Sequence, residues 1–300
     1  MEREPGRLVR HLPTGEEGTA FPVFRDHHVH LGLVGYDALS DGGIGAVVDL
    51  GWSPDIVDLA DAARIPVAYA GCFLTAPGGY PSDRAWAPEG STRTVADPSQ
   101  AAAAVAEQVD LGASLVKVVL NNEAGPVLDT ATLAAVVDAS PVPVVAHVQG
   151  PGMLRVALDA GVAVLAHTPW TERASDDEIA RSARSQRWIS TLDIHGYGTS
   201  SPEQDTAVDN LSRFHAAGGE VLYGTDLGNG DLPVGLNERE LALLVRAGLR
   251  PRALVHALVA PFAGPAVSDR LSFVPGSPGH DAAAWLSRAR VVAADETAAG

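Results

Sequence analysis

Short apolar runs alternate with segments of helical periodicity along most of the chain. Runs without interleaved polar residues are typical of parallel strands that are covered on both faces. Strands are predicted at about 23–31, 43–50, 65–74, 114–120, 143–148, 162–168, 188–194 and 220–225. Helices are predicted between them, at about 53–64, 99–111, 130–139, 151–160 and 234–248, with capping signals at 175–178 and 201–204. Eight strands alternating with helices over roughly 240 residues predict an α/β fold, one closed (β/α)8 TIM barrel.

The pattern changes on both sides of this barrel segment. Residues 1–21 are polar with Gly and Pro and are predicted to form an irregular N-terminal arm. The barrel is assigned to residues 22–262. Prolines separate short apolar pieces in the C-terminal return segment, 263–300, which includes a strand-like run at 289–293. A long loop at 75–98 interrupts the alternation, and loops of this length in a compact domain are often functional.

Composition and charge exclude several kinds of partner. The net charge of -16 argues against nucleic-acid binding and against attraction to anionic membranes. The single cysteine, Cys72, rules out an internal disulfide framework and fits a reducing compartment. No signal peptide is recognised, and no apolar run approaches the ~18 residues that span a membrane. The expected partner is therefore a small-molecule substrate, and the expected location is the cytoplasm.

Candidate chemistry begins with Asp26-His27-His28-Val29-His30, in the first predicted strand. Side chains alternate between the two faces of a strand, so Asp26, His28 and His30 are predicted to share one face. Two imidazoles on one face can chelate a metal ion, although a histidine-rich turn formed by chance explains this motif alone equally well. Other predicted strands carry or end in Lys117, His147, His167 and Asp226. Because barrel enzymes keep their active sites at the C-terminal ends of the strands, these residues predict one site.

Lys117 is the only lysine in the chain, and it lies in the apolar run Leu-Val-Lys-Val-Val-Leu. A buried ammonium is costly, and burial lowers the pKa of a lysine. The neutral amine can act as a nucleophile or add carbon dioxide to form a carbamate, which is a carboxylate on a long arm. The alternative is a structural lysine that pairs with one buried acid, such as Asp226.

Together these residues resemble the metal site of the amidohydrolase superfamily, in its imidazolonepropionase-like and zinc-prolidase-like branch. Stretches at 112–118, 224–228 and 238–248 also resemble that branch, and the resemblance covers about residues 22–260. It implies two divalent metal ions, with zinc as the expected metal. The implied ligands are His28, His30 and Asp226 for the first metal, His147 and His167 for the second, and carboxylated Lys117 as the bridge between them.

The resemblance also implies a mechanism in which a metal-bridged hydroxide attacks the substrate and Asp226 acts as general acid and base. Members of the superfamily usually carry a small terminal β-sandwich. Only about 20 residues precede the first predicted strand here, so this domain is expected to be vestigial or truncated. Tyr80 stands where the branch often has histidine, which leaves the substrate open.

Loop residues on the expected active face are candidates for the substrate pocket. These are Tyr80, Trp170, His195 and Tyr197. For His195 and Tyr197, an ordinary position in a loop is the alternative. Arg84, Arg93 and Arg173 are further candidates that could bind a substrate carboxylate, with a solvated surface position as the default.

The sequence therefore predicts a metal-dependent amidohydrolase that cleaves an amide, cyclic amide or peptide-like carbon-nitrogen bond of a small molecule. One alternative is a mononuclear deaminase or lactonase on the same barrel, in which Lys117 is not carboxylated. Another is a metal-binding barrel without catalytic activity. The sequence leaves open the substrate, the native metal and whether the protein is a homo-oligomer.

Overall fold

The computed structural model describes residues 6–300, and in these residues parallel and antiparallel sheets combine with nine α-helices. The strands are β1 Arg7–His11, β2 Glu17–Pro22, β3 Phe24–Val29, β4 Ile44–Asp49, β5 Val67–Tyr69, β6 Phe73–Thr75, β7 Thr92–Thr94, β8 Val116–Asn121, β9 Val144–Gln149, β10 Val164–Leu165, β11 Arg187–Ile189, β12 Glu220–Leu222, β13 Arg270–Pro275, β14 Arg290–Ala293 and β15 Thr297–Ala299. The helices are α1 Ile56–Ala62, α2 Ala101–Asp110, α3 Thr130–Ala139, α4 Met153–Asp159, α5 Asp176–Ser185, α6 Pro202–Ala216, α7 Glu238–Arg246, α8 Pro251–Val259 and α9 Ala282–Leu286.

Two parallel sheets form the centre of the molecule. One has seven strands in the order β12-β11-β10-β9-β8-β6-β7, and the other has three in the order β3-β4-β5. Backbone hydrogen bonds join the two sheets at both sides. The amide of His27 donates to Tyr223 at 3.0 Å and that of His30 to Leu227 at 2.8 Å, while Ser114 donates to Tyr69 at 3.0 Å. The end of β3 therefore lies beside the segment that follows β12.

The alternation of side chains along these strands divides the core into two clusters. In β8, Val116, Val118 and Leu120 pack in the large outer cluster with the helices. Leu115, just before β8, belongs to a smaller inner cluster, which also takes side chains from β4, β5, β9, β10, β11 and β12. The strands are buried on both faces, which explains why their sequences are continuous apolar runs.

Both terminal segments combine in one five-stranded antiparallel sheet, ordered β14-β13-β2-β1-β15. This corrects the expectation of an irregular arm at 1–21, of which residues 1–5 lie outside the described part. Residues 7–11 and 17–22 form a hairpin because β2 pairs with β13 and β1 pairs with β15, strands that lie at least 248 residues further along the chain. The hydroxyl of Ser272 on β13 accepts from the amide of Phe24 and donates to the carbonyl of Gly43, which ties this sheet to β3.

Most element positions agree with the sequence prediction, and the differences have local causes. The capping box of Ser175 and Glu178 is present at the start of α5, and Ser201 caps α6. The third predicted strand, 65–74, is interrupted between β5 and β6, where Gly71 has a positive φ of 73°. Within residues 6–300, no helix is long and apolar enough to cross a membrane.

Candidate metal centre

Strand geometry brings the predicted ligands to one place. Lys117 and Val119 project to the same side of β8, opposite the three side chains that pack under the helices. His147 lies in register with Val119 on the neighbouring strand β9 and projects to that same side. His28, His167 and Asp226 end or follow other parallel strands and line the same cavity. All six predicted metal ligands are therefore brought together.

His28, His30 and Asp226 form the tightest part of the cluster. Oδ1 of Asp226 lies 3.0 Å from Nε2 of His28 and 3.2 Å from Nε2 of His30. One ligand atom from each residue lies within 4.8 Å of the others, an arrangement that can hold a metal ion. Nε2 of His28 and Oδ1 of Asp226 are buried and have no hydrogen-bond partner among residues 6–300. A divalent cation satisfies such atoms, so the donor set fits a metal.

Backbone carbonyls fix the orientation of both histidines. Nδ1 of His28 donates to the carbonyl of Ala166 at 2.8 Å, and Nδ1 of His30 donates to that of Gly51 at 3.0 Å. Each ring then presents Nε2 to the cavity. Burial acts to lower the pKa of His30, but Asp226 raises it above the ordinary value, so metal binding at this ring displaces a proton. A carbonyl that accepts from one ring nitrogen of a metal-binding histidine fixes the ring so that the other nitrogen faces the metal.

Lys117, His147 and His167 form the other half of the predicted ligand set. The ring centroids of His147 and His167 are 4.9 Å apart, and those of His167 and His28 are 4.6 Å apart. Nδ1 of His167 contacts the hydroxyl of Thr191 at 2.9 Å, which leaves Nε2 for the cavity. Nε2 of His147 lies 3.2 Å from Oε1 of Gln149, so in this ring Nδ1 is the nitrogen that this contact leaves for a metal.

Burial sets the protonation of most of these groups. It lowers the pKa of His147 to about 4 and holds the pKa of His28 and of His167 well below the ordinary value. It also lowers the pKa of Lys117 to about 7, although Asp226 and Asp49 act to raise it. Burial acts to raise the pKa of Asp226, but the neighbouring histidines hold it well below its usual value. Neutral imidazole, neutral amine and carboxylate are the forms that metal binding and carbamate formation require.

Two further buried aspartates support the ligands. The carboxylate of Asp26 accepts hydrogen bonds from the amides of His28 and Thr225, both at 3.0 Å, and from the hydroxyl of Thr225 at 2.5 Å. It thus fastens the ligand segment of β3 to the ligand segment after β12. Asp49 accepts from the amides of Leu31 and Gly51. These bonds fix the loop whose carbonyl orients His30.

The backbone at Asp226 has a φ of 59°, in the left-handed region. Non-glycine residues seldom occupy this region, and those that do cluster at functional sites. The side chain is held by Asn229, whose amide donates to Oδ2 at 2.9 Å. The strained backbone and the donor together aim Oδ1 at the histidines.

The six residues open into a cavity of about 430 Å³. Of the predicted pocket residues, Tyr80, Trp170 and His195 line it. Tyr197 does not; its ring is 40% exposed, and its hydroxyl donates to the carbonyl of Asn229 at the edge of the cavity. The lining also includes Phe73, Trp86, Gln149 and Asn229, which the sequence analysis did not single out.

No family model matches the chain, and no curated protein matches it in sequence. Solved structures do match. A Xaa-Pro dipeptidase with methionine bound in its active site has a TM-score of 0.74 at 17% identity, over 94% of this chain and 87% of that one. An amidohydrolase has a TM-score of 0.70 at 17% identity, over 91% and 86% of the two chains. The ochratoxinase of A. niger has a TM-score of 0.70 at 16% identity, over 89% and 80%.

The chain has the amidohydrolase fold. The resemblance drawn from the ligand pattern and these structural matches indicate the same fold. The resemblance rests on a few residues, and the structural matches rest on the course of the backbone.

In this amidohydrolase fold, a buried network holds the loop that carries His195. The amide of Asp193 donates to Oε2 of Glu240 at 2.7 Å. The carboxylate of Asp193 accepts from the amides of Asn237 and Gly198 and pairs with Arg239 at 2.8 Å. Residues 193–195 form a short 3₁₀ helix, and Ile194 and His195 on it line the cavity. Helix α7 therefore positions one side of the pocket.

Glu240 gives this network a pH dependence. Burial raises the pKa of its carboxyl to about 7 from the ordinary 4.5. Between pH 4.5 and pH 7 the carboxyl of Glu240 keeps its proton in the folded protein but has lost it in the unfolded chain. Its contribution to the free energy of unfolding is therefore fully present below pH 4.5 and is lost as the pH rises to 7.

We expect Glu240→Gln, which cannot ionise, to remove this loss. Relative to the variant, the wild type should lose on the order of 3 kcal/mol of unfolding free energy between pH 4.5 and pH 7.5. Urea unfolding of both proteins across this range measures the difference. A difference that does not change with pH would show that Glu240 stays ionised in the folded protein.

Proposed function

We propose that this chain is a metal-dependent hydrolase that cleaves a carbon-nitrogen bond, such as an amide, cyclic amide or peptide-like bond, in a small molecule. The observation that carries the proposal is the convergence of four histidines, one aspartate and the only lysine in one cavity of an amidohydrolase fold. They come from five different strands or strand ends, with His28 and His30 sharing β3 and its end, so local sequence does not explain the convergence.

We further propose that the two parallel sheets form one closed (β/α)8 barrel, assigned to residues 22–262, with flanking segments at 1–21 and 263–300. The hydrogen bonds of His27 and His30 to the segment after β12 support closure on one side, and that of Ser114 to Tyr69 supports it on the other. The inner cluster, which takes side chains from most of these strands, is what the interior of a filled barrel contains.

The metal ligands in this proposal are divided as the resemblance implies. His28, His30 and Asp226 would hold one divalent metal, His147 and His167 would hold the other, and carboxylated Lys117 would supply a ligand to both. Zinc suits this set of imidazole and carboxylate donors. When bound, the metals polarise the substrate carbonyl and lower the pKa of water. To bridge, the neutral amine of Lys117 adds carbon dioxide; a nitrogen-carbon bond forms and one proton is released.

Asp226 then moves the proton that the reaction requires. Hydrolysis joins the oxygen of water to the carbonyl carbon and breaks the carbon-nitrogen bond. The carboxylate of Asp226 takes a proton from the attacking water and gives it to the leaving nitrogen. Its low pKa keeps it ionised and ready to accept. Asn229 keeps the carboxylate in place while this occurs.

One observation favours a mononuclear alternative. The group of ligand atoms that lie within 4.8 Å of one another contains only His28, His30 and Asp226 among the described residues. Nε2 of His147 contacts Gln149, which competes for that ring. A deaminase or lactonase with one metal and an unmodified Lys117 therefore remains the second candidate.

Metal content distinguishes the two candidates. We expect about two zinc ions per chain after purification without chelator and reconstitution with zinc and bicarbonate, measured by elemental analysis. Removal of the metals with a chelator should abolish hydrolysis of amides, and added zinc should restore it. One ion per chain, with activity that does not depend on bicarbonate, would favour the mononuclear enzyme. If no metal is bound either after purification or after reconstitution, both the binuclear and the mononuclear candidates are rejected.

The remaining expectations stay predictions of the sequence. They are a cytoplasmic location, a small-molecule substrate, and the absence of nucleic-acid and membrane partners.

A further inference from the structure

The lining of the cavity is uncharged outside the six proposed ligands. Within residues 6–300, no other Asp, Glu, Lys or Arg side chain lines it. The remaining lining consists of apolar, aromatic and neutral polar residues: Leu33, Phe73, Tyr80, Trp86, Val119, Gln149, Trp170, Ile194, His195, Gly228, Asn229 and Gly230.

The two remaining titratable groups in this lining, Tyr80 and His195, add no positive charge. The phenol of Tyr80 carries no positive charge in either protonation state. Burial lowers the pKa of His195 to about 4, so the imidazole carries no charge. Neither side chain provides a positive charge for an anionic group of the substrate.

The loop arginines named above are engaged outside the cavity. The guanidinium of Arg84 stacks 5.4 Å from the centroid of the Tyr80 ring and pairs with Asp83 at 3.3 Å. Arg93 pairs with Glu107 at 2.7 Å, and Arg173 pairs with Asp209 at 3.0 Å. The expectation that one of them binds a substrate carboxylate is therefore not supported.

Aromatic rings flank the ligands instead. The Trp86 ring lies 6.0 Å from Phe73 and 6.2 Å from Tyr80, and Tyr80 stacks on His147 at 5.7 Å. Trp170 lies 5.8 Å from His147 and 4.7 Å from His195. Such surfaces bind flat apolar groups through dispersion and ring stacking.

One neutral hydrogen-bonding atom is available among these rings. Nε2 of His195 is buried and has no hydrogen-bond partner in the described part of the chain. A buried polar atom without a partner is costly, and a ligand that supplies a partner removes that cost.

From this lining we infer that the substrate is an uncharged amide that carries an aromatic ring and one polar group for Nε2 of His195, and not a peptide or other amide held by a carboxylate. The inference rests on the proposed function. A carboxylate placed among these rings, away from the proposed metal ligands, loses its hydration without gaining a cationic side chain, which weakens binding.

Two matched pairs of compounds test the inference on the zinc-loaded protein. Acetanilide and 4-acetamidobenzoate contain the same amide and differ by one carboxylate. We expect kcat/KM to be about 100-fold higher for acetanilide. The second pair, methanesulfonanilide and its 4-carboxylate, is not hydrolysed, so calorimetry can measure its binding. We expect the lower Kd for methanesulfonanilide.

The outcomes separate this inference from the proposed function. Equal or better use of the carboxylated compounds would overturn the inference while hydrolysis itself still supported the function. If neither amide is hydrolysed, the sulfonanilide pair still decides the preference of the cavity, and the proposed function loses support.

A matched pair of variants tests the cause of the preference. Ile194 lines the cavity and is only partly buried, so longer side chains fit there. Ile194→Arg should reverse the preference toward the carboxylated sulfonanilide, whereas Ile194→Gln, which is long but neutral, should keep the original order. If both variants behave alike, the preference does not arise from charge, and the inference fails.

Discussion

Lys117→Ala is expected to lower the metal content from about two ions per chain to one or fewer and to reduce amide hydrolysis by about 100-fold or more. Alanine cannot form the carbamate, so the second metal loses its bridge. The first metal keeps His28, His30 and Asp226, which is why one ion is the upper limit in the variant. Elemental analysis and steady-state kinetics of both proteins measure these effects.

Val119→Ala is the matched control for this change. Val119 projects from β8 to the same side as Lys117 and lines the same cavity, but it carries no ligand atom. We expect it to keep two metals, even if truncation of a buried valine destabilises the fold. Two metals in Lys117→Ala would refute the bridging role, and loss of metal in Val119→Ala would show that packing alone accounts for it.

Asp226→Asn is expected to reduce kcat by 10² to 10⁴-fold, the range that general acid-base groups contribute. Asparagine keeps the size of the side chain and one oxygen, but it does not accept a proton at neutral pH. Its weaker donor oxygen also lowers the affinity for the first metal. Rates are therefore measured with excess zinc, and the metal content is checked in parallel.

The same substitution at Asp231, five residues along the same loop, is the control. Asp231 is exposed and lines no part of the cavity. We expect Asp231→Asn to retain wild-type kcat and metal content. Near-normal kcat in fully metal-loaded Asp226→Asn would assign the proton transfer to another group.

The six residues that meet in the cavity could be singled out from the sequence because each one ends or interrupts an apolar run. Lys117 and His147 lie at alternate positions in strands that are otherwise apolar, so their direction follows from the period of two. Asp49 carries the same signal in Val-Val-Asp-Leu, and this pattern could have identified it as a supporting residue. The pairing of Asp26 with Thr225 could not be predicted, because it joins residues 199 positions apart.

Loop geometry and the terminal sheet were the parts that the sequence did not determine. In the hairpin at 7–22 the apolar Leu8 is exposed while the polar His11 and Thr19 are buried, so its sequence carries no clear strand pattern, and its pairing with β13 and β15 makes it regular. The aromatic lining includes Trp86, from a loop whose course depends on contacts with Phe73 and Tyr80. Such contacts depend on tertiary packing, which a linear pattern does not specify.

The bond between Asp26 and Thr225 has a consequence for the synthesis of this protein. Asp26 and the first ligand pair, His28 and His30, are translated early, but Thr225 and the third ligand, Asp226, arrive about 200 residues later. At about 5 to 20 residues per second, the ribosome takes at least roughly ten seconds to supply them. A growing chain that ends before residue 226 therefore cannot complete the cluster of His28, His30 and Asp226. Under the proposed function, firm metal binding requires that the last parallel strand has docked on the first.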